Sequence, residues 1–552
     1  MNCRIPYLLL TLLFPACFTT GAVETSDKAT SQTGCRCPSD LGKFHEAKDP
    51  AADAINGGSI SIRVESEPGM LLSMYSANAV VRQIADHNIL ETLVRLNPKT
   101  GLPKPSLAIS WSIDEKTGLY LFELASNVRW HDGKPLTAND VKFTFDRLLD
   151  PAGGAVLRKH FRDVDKVTIT SDTTFSIKLD RPHPDFVALL SWLPILPAHV
   201  FGNAALQSHH AALAPIGTGP YKFKSWKPGR QIVLVKNKDY AGVAASINQI
   251  TYRIVPDKRV ALDLFKVGEL DIVSGMGSNR KNRIKDGRTI IFPKNVFEAW
   301  IYNTSRPVFA DRATRIAVGS LIDKRAIRCS IMDCLADIID HPWPISMPVP
   351  IAKAEPAPVF SLKRSRQMLE AAGWIDRDGD GIRERNGVKL KFTLLLPDTG
   401  MSRRRAVTLI QHDMSKAGVH AQVLPVSWGV YTDRLRKHAF DASIISVSNR
   451  PPFDPRLIFH SRAINTGRNF GMFANRRVDE LTERLAGPHS ASFLSSVREE
   501  LRHEILNEQP LTFTFRPLAS VLVRDGIEGI SVRDGWLFEP KLYLTGKFGR
   551  PK

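Results

Sequence analysis

Strand-period and helix-period segments alternate along almost all of this chain, and that alternation restricts its fold more than any other feature. Ile60, Ile62 and Val64 alternate with polar residues, as a half-buried strand requires. A helical spacing follows at Val80, Val81 and Ile84, and the same pattern continues through Ile89, Leu90 and Leu93. Residues 119–124, 174–179 and 231–235 are strand-like again. Between the first two of these, Trp130-His131-Asp132-Gly133-Lys134-Pro135 has the composition of a turn, its Asp-Gly step supplying a tight reversal. Thr137-Ala138-Asn139-Asp140 then has the spacing of a capping box, with Val141, Phe145 and Leu148 on one helix face and Pro151 as a stop. The later half repeats the alternation. Residues 299–303 read as a strand and 312–328 as a helix. Leu362, Leu369 and Ala372 share a helix face that Gly373 is placed to end. Residues 388–396 read as a strand, 407–416 as a helix, and 442–447 and 511–515 as buried strands. Interleaved helices and strands without a short internal repeat give an α/β class.

The 552 residues, 43% hydrophobic and 24% charged, supply large cores and argue against disorder. The first 22 residues stand apart from the fold. Arg4 precedes the apolar run Tyr7 to Phe14, and small residues follow, which is the order of a secretory signal. The run is shorter than the roughly 20 apolar residues that a spanning helix needs. Two processing routes are open: cleavage after Thr20-Gly21-Ala22, or lipid attachment at Cys17, which would tether the same fold to a membrane. Residues 23–56 have few large apolar groups and read as a flexible lead-in. No later stretch has a spanning pattern; the most apolar, 186–201, is broken by Pro194 and Pro197.

Of six cysteines, Cys3 and Cys17 fall in the signal region. Cys35, Cys37, Cys329 and Cys334 would enter an oxidising compartment, where Cys329 and Cys334 are a candidate disulfide closing a small loop. Neither pair has Cys-x-x-Cys spacing. The formal charge of +19 raises nucleic acid as a partner, yet Arg403-Arg404-Arg405 and Arg476-Arg477 are short and scattered. Without a helix-turn-helix, zinc-finger or aromatic-interleaved pattern, solvated basic faces are the expected reading.

Motifs for chemistry are largely missing. The chain has no phosphate-binding Gly-x-x-x-x-Gly-Lys loop, no His-Glu-x-x-His and no Gly-x-Ser-x-Gly elbow. His131-Asp132 looks catalytic in isolation but lies in a turn signature. Asp376, Asp378 and Asp380, with Gly381, match the first half of a calcium loop, but position 12 is Gly387 instead of a bidentate Glu. A solvated turn is expected there, with weak calcium binding as the alternative. No cofactor is implied.

Several segments, in order, resemble the family 5 extracellular solute-binding proteins, the oligopeptide, dipeptide and nickel receptors of bacterial ABC importers. They are Ile89 to Leu96, Leu107 to Trp111, Val128 to Val141, Gly217-Thr218-Gly219-Pro220-Tyr221, and Asn303-Thr304 leading to Pro307-Val308-Phe309. The 128–141 segment matches the family signature almost residue for residue. The resemblance implies a two-lobed periplasmic-binding-protein-like fold (type II, large cluster C form). Lobe one would comprise 57–295 plus 515–552, and lobe two 296–514, with crossings near 297–303 and 511–515. It further implies a monomeric, non-enzymatic receptor outside the cytoplasm that closes on a peptide or related solute and hands it to a permease powered by a cytoplasmic ATPase. An exported sensor for a non-peptide ligand, or a cell-wall peptide hydrolase, are the alternatives. Candidate ligand contacts by position are Met74, Tyr75, Trp300, Tyr302, Trp428, Ser448, Asn449 and Arg450. In the family's peptide receptors an aspartate four residues before a proline pairs with the peptide's amino group. If that proline is Pro455, the aspartate's place is taken by Pro451, with Arg450 beside it.

Overall fold

One strand, Leu511–Arg524, ties the architecture together. Its first half pairs antiparallel with Val296–Tyr302 and with Ala336–Ile338, and its second half with Gly287–Pro293 and Ile272–Ser274. In this computed structural model the sheet built around it has twelve strands. From one edge the main path runs His420–Val426, Lys391–Pro397, Ala442–Ser448, Val296–Tyr302, Leu511–Arg524, Ile272–Ser274, Ser59–Val64, Gln249–Ile254, Gln231–Lys236 and Tyr221–Lys227. A separate antiparallel sheet joins Ala108–Asp114, Leu119–Leu124, Thr174–Leu179 and Val164–Ile169. The described residues are 54–549 except 87, 98–99, 115–116, 181–182, 184, 203–205, 276–283, 345–346, 348–357, 399, 487–490, 534–535, 539–541 and 547. The expected leader, nearly all of the lead-in, and Cys3, Cys17, Cys35 and Cys37 lie outside them. No helix of the described residues is long and apolar enough to cross a membrane.

Different cores form on the two halves of the long strand. Around its C-terminal half, Ile60, Ile62, Val64, Phe122, Phe145 and Val523 join one cluster. The sheet around its N-terminal half is buried on both faces, and strand parity shows it. Trp300 and Tyr302 pack on one face with Phe309, Phe392 and Leu394. Their neighbours Phe297, Ala299 and Ile301 pack on the other with Trp343, Val447 and Phe513. A buried ion pair fixes the C-terminal end of the long strand against its neighbours. The Arg524 guanidinium meets Asp271 at 3.1 Å, and the other Asp271 carboxylate oxygen accepts the Ser61 backbone N–H at 2.8 Å.

Three of the sequence signatures meet in one structural joint. His131 accepts the Gly217 N–H on Nδ1 at 3.2 Å, and its Nε2 lies 3.0 Å from the Gly219 carbonyl. Gly219 and Tyr221 donate their N–H groups to the carbonyls of Ile89 and Asn88. A Cβ at Gly217 or Gly219 would collide with those carbonyl oxygens, so glycine is required by close approach. Burial drives the His131 pKa down to about 4, which keeps the ring neutral. Asp132 pairs with His199 at 2.7 Å, so His131 and Asp132 are parts of the joint and not a dyad. The Ala138–Leu149 helix begins with the expected capping box between Thr137 and Asp140.

Local differences have local causes. The first helix ends at Ala85 because Asp86 turns extended (ψ 129°), so Ile89, Leu90 and Leu93 are buried in non-helical backbone. The helix expected over 312–328 is two helices, Arg312–Gly319 and Lys324–Ser330, the second restarted by Asp323, whose side chain accepts the Ala326 N–H. The helix expected over 407–416 starts earlier, at Met401.

Candidate functional site

A cleft of about 630 Å³ opens between two walls. One is built from Ser73 to Arg82, Val156 to Asp163 and His183 to Trp192, against the first core. The other comes from Val447 to Arg468, with Glu483, beside the core that holds Phe297 and Val447. This volume is in the range of small-solute sites.

Trp192 joins the walls. The short helix Phe186–Leu189 and the turn Leu190–Trp192 bury Phe186, Leu189 and Leu190 and leave the indole facing the cleft. Its Nε1 donates to the Pro451 carbonyl at 2.8 Å, a bond between residues 259 apart in sequence. The Arg450 guanidinium lies 4.9 Å from the ring centroid, a cation–π distance, and His160 meets the ring edge-on at 5.0 Å.

Positive charge dominates the lining. Seven lysine and arginine side chains face four carboxylates, Asp163, Asp185, Asp454 and Glu483. Arg456 holds Asp454 through bonds of 2.9–3.1 Å. Glu483 is 3.1 Å from His460 and 3.7 Å from Arg462, and Asp163 is 3.9 Å from Arg162. Burial, reinforced by Asp454, raises the Asp185 pKa to about 6 against the pull of Arg456 and Arg498. Burial lowers His160 to about 4, and the charges of Lys159, Arg468 and Arg450 push the same way. His183 is lowered as well, by burial and then by Arg456. The arrangement offers charge and hydrogen bonds to a ligand.

Of the eight residues expected to meet ligand, Ser448 and Arg450 line this cleft. Met74 and Tyr75 are buried beside it, the Met74 carbonyl accepting the Val156 N–H and the Tyr75 hydroxyl lying 3.4 Å from the Arg147 carbonyl. Trp300 and Tyr302 belong to the sheet core, where the Tyr302 hydroxyl bonds Thr512 at 2.8 Å. Trp300 also borders a separate apolar cavity of about 330 Å³ with Ile322, Ile410 and Phe515. Trp428 is 63% exposed and stacks on Tyr431. Asn449 is buried and donates to the Pro342 carbonyl. Strand parity explains the split: Ser446, Ser448 and Arg450 face outward while Val447 and Asn449 face in. Sequence reasoning missed His160, Trp192, Lys159 and Arg468. Trp192 sat in a run notable only for apolarity, and no local pattern marks the other three.

The acidic turn carries its own cation. Lys389 Nζ lies 2.5 Å from Asp378, 3.1 Å from Asp380 and 3.2 Å from Glu384, while Asp376 accepts the Gly379 and Gly381 N–H groups. The three aspartates are all exposed. Cys329 and Cys334 are disulfide-bonded.

Comparison with known proteins agrees with this architecture. Residues 103–467 match the family model described as bacterial extracellular solute-binding proteins, family 5 middle. The chain is 26% identical over 507 residues to the oligopeptide-binding protein AppA of Bacillus subtilis, covering 89% of this chain and 92% of that one. The structure of AppA in complex with a nonapeptide superposes with a TM-score of 0.70 over 89% of this chain and 100% of the other. HbpA2 from Haemophilus parasuis, 19% identical, reaches a TM-score of 0.78 over 88% of this chain and 100% of its own, a likeness of fold. With its mixed sheets and two-lobed periplasmic-binding-protein fold, the chain belongs to the bacterial extracellular solute-binding proteins of family 5.

Proposed function

We propose that this chain is the exported receptor of an ABC importer and that it captures a peptide or related small solute between Trp192 and the 447–468 wall. The observation that carries this reading is the cleft itself, whose walls rest on different cores and meet through the Trp192–Pro451 hydrogen bond. Lobe one would span 57–295 and 515–552, and lobe two 296–514, rocking about the crossing strands near 297–303 and 511–515. Contacts made by both walls favour the closed state only when solute supplies them, so capture needs no catalytic group. Ser448 and Arg450 are the ligand contacts expected from sequence that remain exposed to the cleft; Met74, Tyr75, Trp300, Tyr302 and Asn449 would serve as its supporting structure. The receptor acts as a monomer, delivers to a membrane permease, and is held near the membrane by that permease or by a lipid on Cys17. Native mass spectrometry of the mature protein, purified without denaturation, tests the reading. A bound small solute supports it; turnover of peptide or ester substrates abolished by a cleft substitution would replace it with a hydrolase.

A further inference from the structure

We infer that the solute held in this cleft carries at least two negative charges, its carboxylates seated among Lys159, Arg468 and Arg450 beside the Trp192 ring. This rests on the receptor reading and narrows its substrate class.

Two features of the cleft point the same way. First, its cations outnumber its carboxylates, and the surplus is concentrated. Among the described residues neither Lys159 nor Arg468 has a carboxylate within ion-pair distance, and both are exposed. With Arg450 they bear on one imidazole, His160, held neutral in their midst. An anion entering here meets the positive potential that these side chains place on His160 and gains charge-assisted hydrogen bonds from guanidinium and ammonium groups. Second, a cationic amino terminus finds its acceptors engaged. Asp454 is gripped by Arg456, Glu483 faces His460 and Arg462, Asp163 lies 3.9 Å from Arg162, and the charged form of Asp185 is disfavoured by burial. At Pro451 the backbone offers only a carbonyl, and Trp192 already donates to it.

Carboxylates can arrive on an acidic peptide or on a free polycarboxylate, and titration calorimetry at low ionic strength separates these sources. The probes are the peptide Ala-Glu-Asp-Ala, its uncharged counterpart Ala-Gln-Asn-Ala, the basic Ala-Lys-Lys-Ala, and citrate. At least one acidic probe is expected to bind about tenfold more tightly than the uncharged peptide, as a few partly exposed charge contacts allow. The basic peptide should be rejected. Binding of Ala-Glu-Asp-Ala without citrate identifies acidic peptides as the source, and citrate without the peptide identifies free polycarboxylates. The double variant Lys159→Gln/Arg468→Gln should lose the preference while melting at the wild-type temperature. A preference that survives in that variant, equal binding of uncharged and acidic peptides, or no binding of either acidic probe overturns the inference. The receptor reading falls separately, if native mass spectrometry finds no small solute under any condition.

Discussion

Replacing Trp192 with phenylalanine removes one hydrogen bond from between the walls and leaves most else in place. The lost bond is Trp192 Nε1 to the Pro451 carbonyl at 2.8 Å. A neutral hydrogen bond of this kind contributes about 0.5–1.5 kcal/mol net. Phenylalanine keeps a ring under Arg450 and against His160, at a small loss of cation–π strength. Because the two partners sit on opposite walls, that energy favours the closed state, and weakening it by about 1 kcal/mol should weaken solute binding about fivefold. Trp192→Ala also removes the Arg450 contact, worth about 0.5–1 kcal/mol, so the combined loss should approach thirtyfold. Titration calorimetry with the co-purifying solute reads both variants. Wild-type affinity in Trp192→Phe, with a lowered melting temperature, would refute the reasoning, because the bond would then be equally present with and without solute.

Arg524 and Asp271 are 1% and 0% exposed, so Arg524→Leu strands a buried carboxylate and should cost about 3–5 kcal/mol in urea unfolding. Adding Asp271→Leu should recover part of that loss, and a single-variant cost below about 1 kcal/mol would contradict the buried pair. Calcium should not raise the melting temperature of the wild-type protein, since the Lys389 ammonium already sits among the carboxylates of the acidic turn; in Lys389→Met a calcium-dependent rise should emerge. His341 is held near pKa 3 by burial, with Arg516 and Arg502 adding to the effect, and its Nδ1 accepts the Trp343 N–H. Its folded value lies below the unfolded one of about 6.5, so the stability it contributes is present above that pH and is lost as pH falls toward 3. His341→Asn should flatten the loss relative to wild type in urea midpoints at pH 7.5, 6 and 5, and parallel curves would contradict it.

Much of the fold was legible because its signals are local. The alternation at Ile60, Ile62 and Val64, the capping box at Thr137 and Asp140, and the Trp130–Pro135 turn each depend on residues a few positions apart. The family signatures were legible for a different reason. Gly217 and Gly219 press on the backbone carbonyls of Ile89 and Asn88 with no room for a Cβ, and His131 bonds both glycines, so these residue types are set by contact. The site was much less legible. Trp300 and Tyr302, expected from sequence as ligand contacts, are core because a second layer packs over their sheet, which no local pattern shows. Trp192, His160 and Arg468 become a site through approaches across more than 250 residues that no local pattern encodes.

Hydrogen exchange on the mature protein, with and without saturating amounts of the solute identified by native mass spectrometry, tests capture between two walls most directly. Solute should slow exchange in both 157–163 with 186–192 and 448–468, leaving the acidic turn at 376–381 unchanged. Protection confined to one wall, or appearing around the Trp300 cavity instead, would contradict capture between the walls.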